Sequence, residues 1–200
     1  MKIANLYSHL NGYEFLLVHK KALWDEIEAA IARIDANQFI KTSRAKPTIG
    51  KQLYDQKKLN KCFEKYLFPL QWQSVTTPYY VTGDIQTERE IVGIRDWAEQ
   101  RRIIESKGQS AFSTNNQVDF VKDRVAVEVQ FGKYFSVAYD LHVKHTFFFL
   151  RNDIDVGIEI IPKVKWKPWS SLLMWIGSKI VTYADNAAGG VTVTIGATAA

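Results

Sequence analysis

Cysteine is almost absent: Cys62 is the only one in the chain. No intrachain disulfide can form, so nothing favours an oxidising compartment. Cys62 lies in LNKCFEKYLF, on what reads as the apolar face of a helix, and a buried structural thiol is expected there rather than a nucleophile. Long hydrophobic runs are also missing. The first fifteen residues, MKIANLYSHLNGYEF, lack the continuous apolar core of a secretion signal. The most apolar later stretch, SSLLMWIGSKIVTYAD, is broken by Gly177 and Lys179 and is too short to span a bilayer. The expectation is a soluble, cytoplasmic protein with no membrane partner. Repeats and low-complexity segments are absent. His142 and His145 stand three apart, but no further ligands follow at the fixed spacing of a zinc site, so surface or packed histidines are expected. Ser8, His9 and Asn11 in YSHLNGYE have no elbow or triad context and read as a turn.

What is present suits a globular domain. Of the 200 residues, 46% are hydrophobic, with six Trp, nine Tyr and eleven Phe, enough for one buried core. A single domain over 1–200 is expected. The formal charge of +5 fits an anionic partner without requiring one. Leu23, Trp24, Ile27, Ala30, Ile31 and Ile34 follow helical spacing. KTSRAKPTIGKQ, 41–52, is basic, carries Pro47 and Gly50, and reads as an exposed loop or a DNA-facing one. Asp55 can cap a second helix through Leu59, Cys62, Phe63, Tyr66 and Leu67 that stops before Pro69. Residues 71–82 read as an edge strand because of Pro78. Residues 88–107 read as a helix with Gly108 just past its end, and 110–117 as a loop. Strand character follows at 118–121 and 125–131, joined through Lys122, Asp123 and Arg124. Residues 135–148 read as a helix, although the aromatics at 147–149 also suit a strand. DVGIEIIP is a buried strand, KVKWKPW a basic-aromatic loop, and GGVTVTIGA a last strand. Mixed strands and helices around a central hairpin imply an α/β layer fold with a mixed sheet.

The chemistry concentrates in NNQVDFVKDRVAVEVQFGKY, residues 115–134. Side chains alternate along a strand, so Val125, Val127 and Val129 face an apolar layer while Ala126, Glu128 and Gln130 face the other way. Asp119, on the partner strand of the hairpin, can reach the Glu128 side. Two converging carboxylates with a nearby carbonyl suit a hard divalent ion such as Mg²⁺, which removes their mutual repulsion and can activate water. Taken alone, the spacing also fits a solvated sheet edge.

Asp119, followed after eight intervening residues by Glu128-Val129-Gln130, resembles the active-site motif of the PD-(D/E)xK nuclease superfamily, with Gln130 in place of the usual lysine and Val118 in place of the proline. NQVDFVKDRVAVEVQFGKY, VAYDLHVKH, IDVGIEI, LYSHLNGYE and YYVTGD together are similar to type II restriction endonucleases of the BglII and BstYI kind, most strongly over 115–161. That resemblance implies a restriction-endonuclease-like core: a central mixed β-sheet flanked by helices. It implies Asp119, Glu128 and the Val129 carbonyl as Mg²⁺ ligands, with Gln130 orienting the attacking water. It places Lys133 near the outer base pair, where a lysine can donate to N7 of either purine; a phosphate contact or a solvated lysine is the other reading. Ser170 and Ser171 match a serine pair near the DNA, or else cap a helix. The implied partners are double-stranded DNA, a second copy of the chain in a homodimer, and a functionally linked DNA methyltransferase. The implied activity is cleavage of a GATC-centred palindrome, R^GATCY, with 5′ overhangs. The alternatives are a repair or recombination nuclease of the same fold and a non-catalytic DNA-binding protein.

Overall fold

A computed structural model describes residues 1–131, 136–162 and 190–197, the last stretch as backbone. The chain begins with β1 (Lys2–His9), turns through Leu10 and Asn11, and enters α1 (Gly12–His19) and α2 (Lys21–Arg33). The Ser8 hydroxyl donates to Glu14 and accepts from the Tyr13 N–H, so YSHLNGYE is a turn, as its composition suggests. β2 (Ile40–Thr42) and β3 (Gln52–Tyr54) pair with each other, and α3 (Gln56–Leu67) follows, with the Asp55 carboxylate accepting from Lys58 N–H at its start. β4 (Gln73–Val81), α4 (Ile85–Ile91), α5 (Trp97–Ser106), β5 (Phe112–Lys122) and β6 (Val125–Val129) come next. A continuous helical stretch comprises α6 (Ser136–Tyr139), a π-turn (Asp140–Lys144) and α7 (His145–Leu150). β7 (Val156–Pro162) and β8 (Gly190–Ala197) complete the order.

Among the described residues these strands form a mixed six-stranded sheet in the order β1-β8-β7-β6-β5-β4. β6 and β7 are parallel, as are β1 and β8; the other neighbours are antiparallel. Helices α1, α2 and α3 cover one face. Leu16, Trp24, Ile27, Ile31, Leu59 and Phe63 pack there against Val125, Val127, Val129, Ile158 and Ile160. On the other face Phe148 of α7 packs with Ala126, Val118 and Ile154. Helices α4 and α5 lie on β4 through Ile91, Ile104 and Tyr80. There the buried Gln100 amide accepts from the Tyr80 N–H (2.9 Å) and donates to the Ile94 carbonyl (2.7 Å), tying the edge strand to α5. The α/β expectation of a mixed sheet flanked by helices holds.

Three local expectations need correction, and one open alternative is decided. Residues 110–117 are not a loop: β5 begins at Phe112, because its long pairing with β4 overrides the polar composition. Residues 41–52 are not an open loop either. Ser43 N–H bonds to Lys51 O (2.8 Å), Gly50 N–H to Ser43 O (3.0 Å), and the Ser43 and Thr48 hydroxyls pair at 2.7 Å, closing a hairpin. The stretch 88–107 is two helices, with Asp96 accepting from Ala98 N–H to start the second. Residues 147–149 belong to α7, which leaves the strand alternative aside. The expected end at Gly108 holds: its φ of 70° suits glycine, and its N–H bonds to Glu105 O. Cys62 is half-buried against the main core, and burial pushes its thiol up from its ordinary value.

Candidate active site

The β5–β6 hairpin carries the site. Its turn residues Asp123 and Arg124 both have positive φ, 44° and 67°, as a two-residue hairpin turn of matching twist requires. Neither is glycine, and Arg124 compensates by bonding to Asp155 (2.6 and 3.0 Å) and the Asn152 side chain (2.7 Å). From this turn three pairs form: Lys122 with Val125, Val121 with Ala126, Phe120 with Val127. Then the strands diverge. Pairing of β5 with β4 shifts between Val75–Val118 and Gln73–Val121, which puts one extra residue into β5 around Asp119. Such a bulge re-aims side chains. Val118 and Val121 both join the helix-side cluster, whereas Phe120 joins the main core.

At the divergence the Asp119 carboxylate takes the place of the ladder, accepting from the Val129 N–H at 3.0 Å. It also shares a hydrogen bond with the Glu128 carboxyl. The two acids therefore meet. Beyond them β6 stays paired with β7 through Val129–Ile160, and Gln130 N–H donates to Ile160 O at 2.9 Å. As the alternation implies, Val125, Val127 and Val129 enter the main core, while Ala126 lies in the cluster on the other face.

The site is largely buried and crowded with acid. Glu128 is only 2% exposed; burial, and then the Asp119 charge, push its carboxyl up to about 8. Burial also raises Asp119, against the lowering pull of the Val129 N–H and Lys144. The Lys144 ammonium lies 2.6 Å from Glu128 Oε1 and 3.3 Å from Asp140 Oδ1. Gln130 Nε2 donates to the other Asp140 oxygen at 3.0 Å, which leaves the buried Gln130 Oε1 without a protein donor. Asp140 and Lys144 bracket the π-turn, an insertion frequent at functional sites.

Behind Glu128, Glu159 of β7 occupies the paired register position. It is fully buried, neither carboxyl oxygen has a partner, and burial pushes it well above the ordinary carboxylate range. His145 Nε2 stands 3.6 Å from it, and burial lowers this imidazole to about 3, so it is neutral. A Cβ on Gly157 would lie 2.1 Å from His145 Nδ1; glycine is what lets α7 approach β7 here. His142 is exposed and His145 buried, so the two do not share a face. Among the described residues, no three His, Cys, Asp or Glu side chains form a metal-ligating cluster. The structure thus brings Asp119, Glu128, Val129 and Gln130 together. Lys133, Ser170 and Ser171 lie outside the described residues, as do the KVKWKPW loop and the helix expected after it.

Asp140, Lys144 and Glu159 were not singled out from the sequence, whereas His145 was and is packed, as one of its two expected readings has it. Glu159 had a signal, an acid in the middle of the apolar run VGIEIIP, where a charge is rarely buried without a partner. For Lys144 the only signal was an acid four residues before it.

A mixed sheet with helices on both faces and an acidic site at a strand divergence defines the restriction-endonuclease-like class. The chain matches the family model of restriction endonuclease BglII/BglIII over residues 4–194, and it belongs to that family. No curated protein matches it. The family makes it a site-specific nuclease that binds DNA. Among the described residues no helix is long and apolar enough to cross a membrane.

Proposed function

We propose that this endonuclease is a Mg²⁺-dependent type II enzyme of the PD-(D/E)xK kind, working in the cytoplasm as a homodimer on a GATC-centred palindrome. It cuts R^GATCY after the first purine and leaves 5′ overhangs, and a DNA methyltransferase protects the host's own sites. The observation that carries the reading is the meeting of the Asp119 and Glu128 carboxyls beside Gln130, where β5 and β6 part.

The donor set fits a hard divalent cation. Burial raises both carboxyls, and the Asp119 charge raises Glu128 further, so their anionic forms are disfavoured until a cation compensates them. Asp119, Glu128 and the Val129 carbonyl would hold it. The bound ion supplies Lewis acidity and a lowered pKa for water. Gln130 carries no charge, so its part is orientation. Its Nε2 is fixed on Asp140 and its free Oε1 is an acceptor for the attacking water. In the reaction water adds to phosphorus, the bond to the 3′ oxygen breaks, and the products are a 5′-phosphate and a 3′-hydroxyl. By the resemblance of their sequence surroundings, Lys133 is assigned to the outer base pair and Ser170 and Ser171 to a position near the DNA. A palindrome calls for two copies of the site, because twofold protein symmetry matches twofold DNA symmetry.

Plasmid digestion with end mapping tests this reading. Discrete fragments ending at R^GATCY, seen with Mg²⁺ and absent with EDTA, are expected. Asp119→Asn and Glu128→Gln should each lower cleavage by about 10³-fold or more while specific binding survives. A smear would point instead to a nuclease without sequence choice, and near-normal cutting by either variant would remove both carboxyls from the chemistry.

A further inference from the structure

The acidic site already contains a cation of its own. Lys144 Nζ lies on Glu128 Oε1 (2.6 Å) with Asp140 Oδ1 at 3.3 Å, and its side chain is only 12% exposed. Asp119, Glu128 and Asp140 face this ammonium, and Glu159 and neutral His145 stand behind. Among the described residues no other Lys or Arg pairs with Glu128 or Asp140. A buried acid group without a partner is strongly disfavoured, so Lys144 stabilises the site before any divalent ion arrives. The π-turn sets its position, since the same wide turn presents Asp140 and Lys144 to the sheet.

A divalent ion on Glu128 cannot leave this arrangement unchanged. Mg²⁺ sits about 2.0–2.1 Å from a carboxylate oxygen. With the ammonium on the same carboxylate, the two cations would lie within about 5 Å and repel strongly at a protein's effective dielectric. Asp140 offers the ammonium another seat. It is already in reach of Lys144, and Gln130 Nε2 holds its other oxygen in place. Resting on the Mg²⁺ reading above, we propose that Lys144 is the resident counter-ion of the acidic site: it pairs with Glu128 in the metal-free enzyme and shifts onto Asp140 when the divalent cation binds. It is a positioning residue, acting through Glu128 and Asp140.

The test is calorimetric titration of Mg²⁺ into the full chain without DNA, at pH 9, where protons compete least for the carboxyls. Lys144→Met and Lys144→Gln should each bind Mg²⁺ at least tenfold more tightly than the wild type, and each should melt lower in EDTA with a larger upward shift on Mg²⁺ addition. Lys144→Arg keeps the charge and should stay within about threefold of the wild-type affinity. Should one neutral variant fail to fold, the other carries the comparison. Equal or weaker Mg²⁺ binding by the neutral variants, with melting lowered alike in EDTA and Mg²⁺, would make Lys144 a purely structural residue and overturn the inference alone. A wild type that takes up no Mg²⁺ would overturn the metal reading itself, and the inference with it.

Discussion

The two faces of β6 are held by opposite physics. On one, Val125, Val127 and Val129 meet Ile27, Ile31, Leu59 and Phe63 in a core without ions. On the other, two residues of the same five-residue strand diverge in role: Ala126 packs under Phe148, while Glu128 enters a cluster of Asp119, Asp140, Lys144 and Glu159. The first face gains from area removed from water and from close packing. The second gains little from burying charge and persists because each member is partnered or kept neutral. Stability resides in the first and the candidate site in the second. A strand anchored on one side can therefore carry a costly arrangement on the other.

The largest stability effect should come from the apolar face. Phe63 is fully buried and packs on Phe131, with ring centroids 6.3 Å apart. Phe63→Ala should lower unfolding free energy by about 3–5 kcal/mol, measured by chemical denaturation. A loss below about 1 kcal/mol would mean that this face is not the anchor.

On the opposite face the tightest point is Gly157. Its added Cβ would fall 2.1 Å from His145 Nδ1, and neither β7 nor the buried ring has room to yield. Gly157→Ala should cost about 1–3 kcal/mol and displace α7, which carries Lys144 at its leading end. Cleavage should therefore fall with stability. The pairing of Gly157→Ala with His145→Ala should recover part of the loss, and no recovery would separate the two residues.

The acid face should also set the response to pH. In the unfolded chain Glu128 ionises near 4.5, and in the folded metal-free protein only near 8. Between these values the unfolded state has released a proton that the folded state keeps, so stability is lost as pH rises, by up to ~1.4 kcal/mol per unit for each such group. Glu159 and Asp119, also raised, act in the same direction. His145 acts oppositely but elsewhere: its folded value of about 3 lies below the ordinary 6.5, so its contribution is lost as pH falls through that range. From pH 6.5 to 8, among the described residues, the carboxyls are opposed only by the Met1 ammonium, which burial lowers from its ordinary value. In EDTA the wild type should be less stable at pH 8 than at pH 6.5, and Glu128→Gln should flatten that slope. A stability that is level or rising over this interval would contradict the raised carboxyl of Glu128.

The sequence made the apolar face far more legible than the acid face. Period-two valines and period-3.6 residues in α2 and α3 are local signals of global packing, so helices, hairpin and orientation were readable. The Asp55 cap and the Gly108 terminus are local too. Asp119, Glu128 and Gln130 were readable because one hairpin holds them. Lys144 and Glu159 were not, because they reach Glu128 from the π-turn before α7 and from a parallel neighbour strand, and no spacing rule encodes that approach. The start of β5 at Phe112 was missed for the same reason: its partner, β4, is distant in sequence.

The β2–β3 hairpin belongs to neither face, and the smallest stability effect is expected there. Lys41 pairs with Asp55 at 3.6 Å, but Arg44, Lys46 and Lys51 are exposed, and no ion pair engages them among the described residues. Tyr54, at the hairpin's base, meets Phe131, with ring centroids 6.1 Å apart, and Phe131 directly follows Gln130. The cations are thus tethered to the end of the strand that bears the site. Exposed lysines and arginines on a DNA-binding protein are candidates for phosphate contacts, which position the duplex without reading its sequence. Replacing Arg44, Lys46 and Lys51 together by Gln should change stability by less than about 0.5 kcal/mol. It should weaken binding to cognate and unrelated duplexes alike, and lower the slope of log K against log salt by about 0.9 for each phosphate contact removed. An unchanged salt slope would leave the hairpin as solvated surface, and a loss confined to cognate DNA would make it a reader of bases.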